Sequence, residues 1–141
     1  MAWITPKTDW YGETDSSGNY TGDRFDADDY NRIINNLQYL HDFAITLYKD
    51  FSVYGLSTKT YSDYVYANDV NIIEGDLGLI NSATLQRDYG ETLVYYDNGT
   101  FIDYNELNRI ESAMLDLYNK MTNEYNGRRM LTWNFGTKGD F

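Results

Sequence analysis

The chain contains no cysteine, one proline and few basic residues. Of its 141 residues, 11 are lysine or arginine and 22 are aspartate or glutamate, so the formal net charge at pH 7 is −11. The absence of cysteine excludes disulfides, thiolate nucleophiles and cysteine-ligated zinc. Because the excess of negative charge repels phosphate groups, we expect neither nucleic acid nor an anionic membrane surface as a partner.

Long hydrophobic runs are also missing. The apolar stretches are only a few residues long, whereas a helix needs about 20 such residues to cross a bilayer. The first ten residues lack the basic start and apolar stretch of a secretion signal. We therefore expect a protein that is soluble where it is synthesised, in the cytoplasm, and that folds as a single domain over 1–141.

Tyrosine is the residue in excess. The chain has 15 tyrosines, and aromatic residues make up 17% of it. A tyrosine ring packs against apolar surface while its hydroxyl tolerates water, so this residue is enriched at protein interfaces. Our candidates for an interface are Tyr61, Tyr64, Tyr66, Tyr95 and Tyr96, and we expect at least one to face solvent. The alternative for each is a place on the buried face of a small sheet.

One short pattern recurs three times: an acid, an apolar residue, an asparagine and, two residues later, an isoleucine. The copies are 29–33, 69–73 and 106–110. A near-constant period of this kind indicates one structural unit used repeatedly. The asparagines of the pattern are Asn31, Asn71 and Asn108. Each lies beside an apolar stripe, where a short amide can bond to a neighbouring backbone and fix how a helix start meets the next segment.

Each copy of the pattern lies near the start of an apolar stripe with helical spacing. The spacing predicts helices over 26–51 and 103–126, and a weaker helix over 67–81 that contains two glycines. The remaining parts are an N-terminal segment over 1–25 with an exposed polar loop at 15–19, and short strands within 52–102. The resulting prediction is an α+β fold, mainly α, with three packed helices and a few short β-strands.

Acidic residues mark the predicted starts of the two longer helices. Asp26 and Asp103 can cap the first turn, because their carboxylates accept hydrogen bonds from amides that have no partner inside the helix. Asp29 and Glu106 place negative charge where the helix dipole is positive. We interpret all four residues as structural.

The predicted strands lie between the helices and after the last one. Segments 59–66, 92–96 and 100–102 favour β structure, and the last two flank an Asn-Gly pair that is typical of a hairpin. Gly127 is a suitable helix stop, so we predict that 127–141 forms a C-terminal strand or tail.

No pattern indicates catalysis. His41 is the only histidine, and its place along the first apolar stripe favours packing over a catalytic role. Paired carboxylates can hydrolyse glycosides, but with 22 acids a close pair arises by chance. We expect no catalytic residue, no cofactor and no metal site.

Several motifs resemble those of small tail-tip and baseplate proteins of siphophages that infect Gram-positive bacteria. They are WITPKTDW at 3–10, FDADDYNRI at 25–33, NNL at 35–37, LNRIE at 107–111 and LTWNFG at 131–136. The resemblance implies a structural protein of the phage tail tip, present in the virion and in contact with other tail proteins. It supplies no active site.

We therefore expect a non-enzymatic structural or accessory protein of the distal tail, which works by protein–protein assembly. The alternative is a carbohydrate-binding adhesion module whose tyrosines contact the bacterial cell-wall polymer during host adsorption. A weaker alternative is a cell-wall hydrolase.

Overall fold

The computed structural model describes residues 2–14, 16–60, 62–90, 94–96 and 104–138. Within these residues it contains a two-stranded antiparallel hairpin and three helices. The elements are β1 (Gly12–Thr14), β2 (Tyr20–Gly22), α1 (Ala27–Leu47), α2 (Ala67–Ala83) and α3 (Tyr104–Lys138). The fold is mainly α with a minor β element, which agrees with the fold class predicted from the sequence.

The start of α1 is fixed by a reciprocal pair of hydrogen bonds. The backbone amide of Asp29 donates to the carboxylate of Asp26, and the amide of Asp26 donates to the carboxylate of Asp29, both at 3.1 Å. In α2 the carboxylate of Asp69 accepts the amide of Tyr66 at 2.9 Å, which reproduces one half of this capping box. The acids of the repeated pattern therefore hold the first turns of these two helices.

The three helices bury the same positions of the repeat. The four equivalent sets are Tyr30, Val70 and Leu107; Ile33, Ile73 and Ile110; Leu37, Leu77 and Met114; and Leu40, Ile80 and Leu117. Every one of these side chains is at most 4% exposed. Burial of an aliphatic or aromatic side chain of this size contributes about 1.5–3 kcal/mol. One shared core thus forms from three copies of one apolar pattern.

The three helices run parallel to one another. Near their starts, Arg32 of α1 binds Glu111 of α3. Near the other end, Arg128 of α3 donates a hydrogen bond to the carbonyl of Leu47, the last residue of α1. The helix α2 shares this direction, because Lys59 contacts Asn31 and Asp69 near the starts of α1 and α2, and Asp76 lies beside Leu37 and Gln38 farther along both helices. The chain must therefore return along the bundle between one helix and the next.

The helix α3 continues well past the residue predicted to end it. The sequence prediction of a helix ending near 126, followed by a strand or tail over 127–141, is wrong for the described residues, since α3 runs to Lys138. A glycine inside a helix costs only about 1 kcal/mol. Next to Gly127, Arg128 bonds to both Glu124 and the end of α1, and these bonds support the helix there.

The strands also differ from the prediction. The described parts of 59–66 and 92–96 contain no strand, and the only strand pair of the described residues flanks the loop predicted at 15–19. Residues 59 and 95 bond to helix side chains instead of a second strand. The Asn-Gly hairpin, the segment 100–102, Tyr61 and Asp103 lie outside the described residues. The first helix ends at Leu47 and not at 51, because Tyr48 has extended backbone angles.

Candidate functional site

Each of the three repeated asparagines forms a two-bond clamp with one residue of an extended segment. The side-chain oxygen accepts the backbone N–H of that residue, and the side-chain nitrogen donates to its carbonyl. The pairs are Asn31 with Lys59, Asn71 with Tyr95, and Asn108 with Trp10, with all six bonds between 2.7 and 3.0 Å. A side-chain amide carries one donor and one acceptor side by side, so it binds a peptide group much as a neighbouring strand does.

The clamped residues belong to three extended segments that we call straps. The first strap is 3–10, the second is 51–59, and the third comprises the described residues 87–90 and 94–96. The second strap runs back along α1, because the carbonyl of Phe51 bonds to Nε2 of His41 at 2.8 Å, whereas Lys59 is clamped near the start of that helix. The amide of Tyr54 donates to Asp76 of α2 at 2.8 Å. The second strap therefore lies in the groove between α1 and α2.

The third strap occupies the next groove in the same way. Asn81 clamps the backbone of Arg87 at 2.6 and 2.9 Å near the end of α2. The hydroxyl of Tyr89 donates to Asp116 of α3 at 2.7 Å. This strap therefore lies between α2 and α3.

The first strap closes the ring between the last helix and the first. The ring of Trp3 stacks on Tyr118 of α3, with centroids 4.2 Å apart and planes at 3°. Asn36 of α1 clamps the backbone of Ile4 at 3.0 and 2.7 Å. Three helices and three straps thus alternate around one axis, and the first strap is the one that does not link two of the described helices.

Two buried ion pairs occupy equivalent interfaces of this ring. Arg32 binds Glu111 through Nε and a terminal nitrogen at 2.9 and 2.8 Å, and Arg109 binds Glu74. Burial acts to lower the pKa of Arg32, but its hydrogen bonds and charge contacts with Glu111 and Asp29 raise the pKa overall. These arginines stay charged, and their carboxylate partners are held as structural groups.

The same positions in the third interface are apolar. By the offsets of the repeat, Ile72 of α2 corresponds to the two arginines, and Ile34 of α1 corresponds to the two glutamates. Ile34 is buried. The third interface thus has isoleucines at the two positions that carry an ion pair in each of the other two interfaces.

The tyrosines proposed as an interface divide into exposed and half-buried ones. Tyr64, Tyr66 and Tyr96 are 74%, 57% and 72% exposed, and the rings of Tyr64 and Tyr66 meet edge to face with centroids 6.4 Å apart. Tyr95 is half-buried and packs against the core. Tyr61 is outside the described residues.

The exposed tyrosines lie around the start of α2. Tyr66 directly precedes the helix, and Tyr96 follows the residue clamped by Asn71 in the second turn. Val94, on the other side of the clamped residue, is 63% exposed. We call Tyr64, Tyr66, Val94 and Tyr96 together the tyrosine surface. Its backbone is held by a helix start and by an amide clamp.

The phenols of the buried Tyr30 and the half-buried Tyr89 keep their protons at neutral pH. Burial, and then the negative charge of Asp69, raise the pKa of Tyr30 to about 12. Burial and the hydrogen bond to Asp116 raise the pKa of Tyr89 well above its ordinary value. Both pKa values are shifted away from 7, so neither hydroxyl is suited to proton transfer at neutral pH.

The single histidine has a structural environment. Nε2 of His41 faces the carbonyl oxygen of Phe51, which can only accept a hydrogen bond, so Nε2 carries the proton. The His41 and Phe51 rings also meet edge to face, with their centroids 5.0 Å apart.

No three acidic or histidine side chains of the described residues are placed to hold one metal ion. None of the described helices has a stretch apolar enough to span a bilayer.

A cavity of about 120 Å³ opens between α2 and α3, lined by the third strap and by Leu77, Gly78 and Arg109. The corresponding cavity between α1 and α2 measures about 20 Å³. The larger one has Gly78 where the repeat places Gln38 in α1. Its two arginines already bind carboxylates, Arg109 with Glu74 and Arg87 with Asp116, so the cavity offers no uncompensated positive charge.

Comparison with protein-family models, with curated proteins and with solved structures gives no match to this chain. No relative therefore assigns a function. The features of the molecule that bear on its function are the tyrosine surface and the buried ion pairs.

Several important side chains were not among the sequence candidates. Asn36 and Asp76, which hold the first and second straps, both lie five residues after a repeated asparagine and are buried. Glu111 is buried and accepts hydrogen bonds from Arg32 and from the first strap. A polar residue inside an apolar helical stripe was the available signal for all three, because such a residue needs a partner in the core.

Proposed function

We propose that this protein is a non-enzymatic structural component of a phage tail tip, and that it assembles with other tail proteins through the tyrosine surface. The support for an assembly role is the exposure of large aromatic side chains on a scaffold whose two buried glutamates are paired with arginines. The support for the tail-tip setting is the resemblance of its motifs to those of siphophage tail proteins.

The observation that carries the proposal is the exposure of Tyr64, Tyr66 and Tyr96 around the start of one helix. Tyrosine is enriched among the few interface residues that supply most of the binding free energy, commonly about 2 kcal/mol or more each. A clamped backbone and a helix start already order this region, so a partner that covers it meets a smaller entropic cost than on a loose loop.

The charge of the chain adds a requirement for the partner. A net charge of −11 favours a basic binding face, which would speed association and make its rate depend on salt. We therefore expect the tail protein that binds the tyrosine surface to present an apolar centre with lysine and arginine around it.

The test is a phage whose copy of this protein carries Tyr64→Ala, Tyr66→Ala and Tyr96→Ala together. The matched control is Tyr54→Ala, since Tyr54 is 77% exposed and lies outside the tyrosine surface. We expect the triple variant to melt like the wild type in isolation but to be missing from assembled tails, and the control to assemble normally. Normal incorporation of the triple variant would refute this assembly role.

A carbohydrate-binding role is the second candidate, because exposed tyrosine faces also stack on sugar rings. Sedimentation with purified cell walls distinguishes the two. Assembly predicts no wall binding above that of an unrelated acidic protein. Adhesion predicts binding that the triple variant loses and the Tyr54→Ala variant keeps.

A further inference from the structure

The cavity between α2 and α3 is open because two positions of the repeat carry small residues there. In the equivalent groove between α1 and α2, Gln38 and Asp76 line a cavity of about 20 Å³. The repeat places Gly78 and Ala113 at these positions in the next groove, where the cavity measures about 120 Å³. The second groove therefore lacks one carboxamide and one carboxylate that its counterpart has.

Neither backbone geometry nor packing among the described residues requires a glycine at position 78. The backbone of Gly78 is not in the left-handed region, and a Cβ added there would meet nothing within 4 Å. A glycine inside a helix lowers stability relative to alanine. Positions that break a local rule in this way are often functional. Gly78 is exposed, so its missing side chain leaves the cavity open to solvent.

The lining of the cavity is polar but carries no net charge. Its charged residues are two arginines and two acids, namely Arg87, Arg109, Glu74 and Asp88. Arg87 is already paired with Asp116, and Arg109 with Glu74. A charged group that entered the cavity would lose hydration without gaining a counter-charge. The lining therefore favours a neutral ligand.

Hydrogen-bond donors and acceptors lie together in this lining. Among the described residues, Arg109 bonds to Glu106 through Nε at 2.7 Å and to Glu74 through one terminal nitrogen. A guanidinium group has more N–H donors than these bonds use. Asp88 accepts the backbone N–H of Gly90 at 3.0 Å, and a carboxylate can accept several hydrogen bonds. A primary amide, which donates and accepts side by side, matches this combination.

The size and the apolar part of the lining suit the side chain that carries such an amide. Leu77 is buried and Tyr89 is half-buried, and the hydroxyl of Tyr89 is held by Asp116 at 2.7 Å. Both residues line the cavity and can contact methylene groups. An engineered cavity of about 150 Å³ takes up benzene, so a volume of about 120 Å³ accommodates the roughly five heavy atoms of a glutamine side chain.

We propose that this cavity binds a neutral side-chain amide, from a glutamine or asparagine that a neighbouring protein presents. Within the chain itself, Gln38 places a carboxamide beside the equivalent cavity. The source of the side chain in another protein rests on the proposed assembly role, whereas amide binding by the cavity does not. A sugar hydroxyl is the rival ligand, and the test includes it.

The experiment is a nuclear magnetic resonance titration of the isotope-labelled full chain with propionamide, which has the functional group and the size of a glutamine side chain. The backbone amides of Gly78 and Gly90 report on the cavity, and that of Gly127 is the reference. The comparison ligands are butanone, which accepts but does not donate; propionate, which is charged; and methyl glucoside, which presents sugar hydroxyls.

The test variant is Gly78→Gln, which restores in α2 the side chain that α1 has at the equivalent position. The matched control is Gly127→Gln, because Gly127 is also an exposed helix glycine and a Cβ there meets nothing within 4 Å. Both variants should melt at or above the temperature of the wild type, since each replaces a glycine inside a helix.

We expect saturable shifts at Gly78 and Gly90 but not at Gly127, with a dissociation constant of about 1–100 mM for so small a ligand. Butanone and propionate should bind at least about tenfold more weakly, because each leaves a polar group of the site or the ligand without its partner. Gly78→Gln should lose the binding, and Gly127→Gln should bind like the wild type.

Four results would overturn the proposal. They are no saturable shift up to about 0.5 M propionamide; butanone or propionate binding as tightly as propionamide; equal binding by the Gly78→Gln variant; and binding of methyl glucoside without binding of propionamide, which would assign the cavity to a sugar. None of these results bears on assembly through the tyrosine surface, which the triple tyrosine variant tests separately.

Discussion

Replacing Asn108 by alanine should loosen the N-terminal strap and lower the stability of the whole protein. The substitution removes both hydrogen bonds to Trp10, at 2.7 and 3.0 Å. A net hydrogen bond contributes about 1 kcal/mol, and a buried backbone group left without a partner costs about 1–3 kcal/mol. We therefore expect Asn108→Ala to reduce the free energy of unfolding by about 2–4 kcal/mol, a large part of the roughly 5–15 kcal/mol of a typical domain.

The assay is urea unfolding followed by far-ultraviolet circular dichroism and by tryptophan fluorescence. Two of the three tryptophans, Trp3 and Trp10, lie in the first strap, so fluorescence reports on the strap while circular dichroism reports on the helices. Because this strap does not link two of the described helices, we expect the fluorescence transition of the variant to come at lower urea than the dichroism transition. In the wild type the two should coincide.

The control is Asn105→Ala, an exposed asparagine in the first turn of the same helix. A surface change of this kind should alter stability by no more than about 0.5 kcal/mol. Asn108→Asp should behave like Asn108→Ala, because it places an oxygen against the carbonyl of Trp10 where a donor is needed. Equal stability of Asn108→Ala and Asn105→Ala would refute the clamp as a source of stability.

Three further predictions concern the interior and the backbone. Glu74→Leu and Arg109→Leu should each lower the free energy of unfolding by about 3–5 kcal/mol, because each leaves the other charge of the pair buried alone. The double variant should cost less than the sum of the two, since both charges of the pair are then removed. A double-mutant cycle from urea unfolding that is additive would count against the pair. Burial raises the pKa of Tyr30 to about 12, so the contribution of its protonated form to the free energy of unfolding is complete below pH 10. Between pH 10 and 12 this contribution falls by up to about 1.4 kcal/mol per pH unit. Tyr30→Phe should flatten this alkaline slope in urea unfolding, and an unchanged slope would contradict the raised pKa. Gly78→Ala should raise stability by about 0.5–1 kcal/mol, because the added methyl group lies inside a helix and meets nothing within 4 Å. Gly22→Ala should lower stability, because Gly22 has φ +121° and a Cβ would lie 2.6 Å from a carbonyl oxygen. Thermal melts that reverse this order would contradict the local geometry.

The sequence contained the repeat, and the repeat predicted much of the bundle. The stripes through Ile33, Ile73 and Ile110 placed the helices within a few residues of their observed starts, since burial of one helical face dominates local preference. The asparagines of the pattern were expected to bond to neighbouring backbone, and the hydrogen bonds of Asn31, Asn71 and Asn108 agree with that expectation. Their partners could not be read locally, because they lie 24 to 98 residues away.

The straps show why the strands were misplaced. Residues near Lys59 and Tyr95 favour extended backbone, and extended backbone was the basis of the strand prediction. Their backbone groups pair with side-chain amides of helices and not with another strand, and β preference does not specify the partner. The end of α3 was misjudged for a related reason, because the bond between Arg128 and the end of α1 is tertiary and outweighs the glycine before it.

The proposal that this chain is a structural tail protein is tested most directly by quantitative mass spectrometry of purified phage particles. The account predicts that the protein is present in every preparation in a fixed ratio to the other tail proteins, and that this ratio does not fall through successive density gradients. Its absence from particles, with the protein found only in the lysate, would contradict the account.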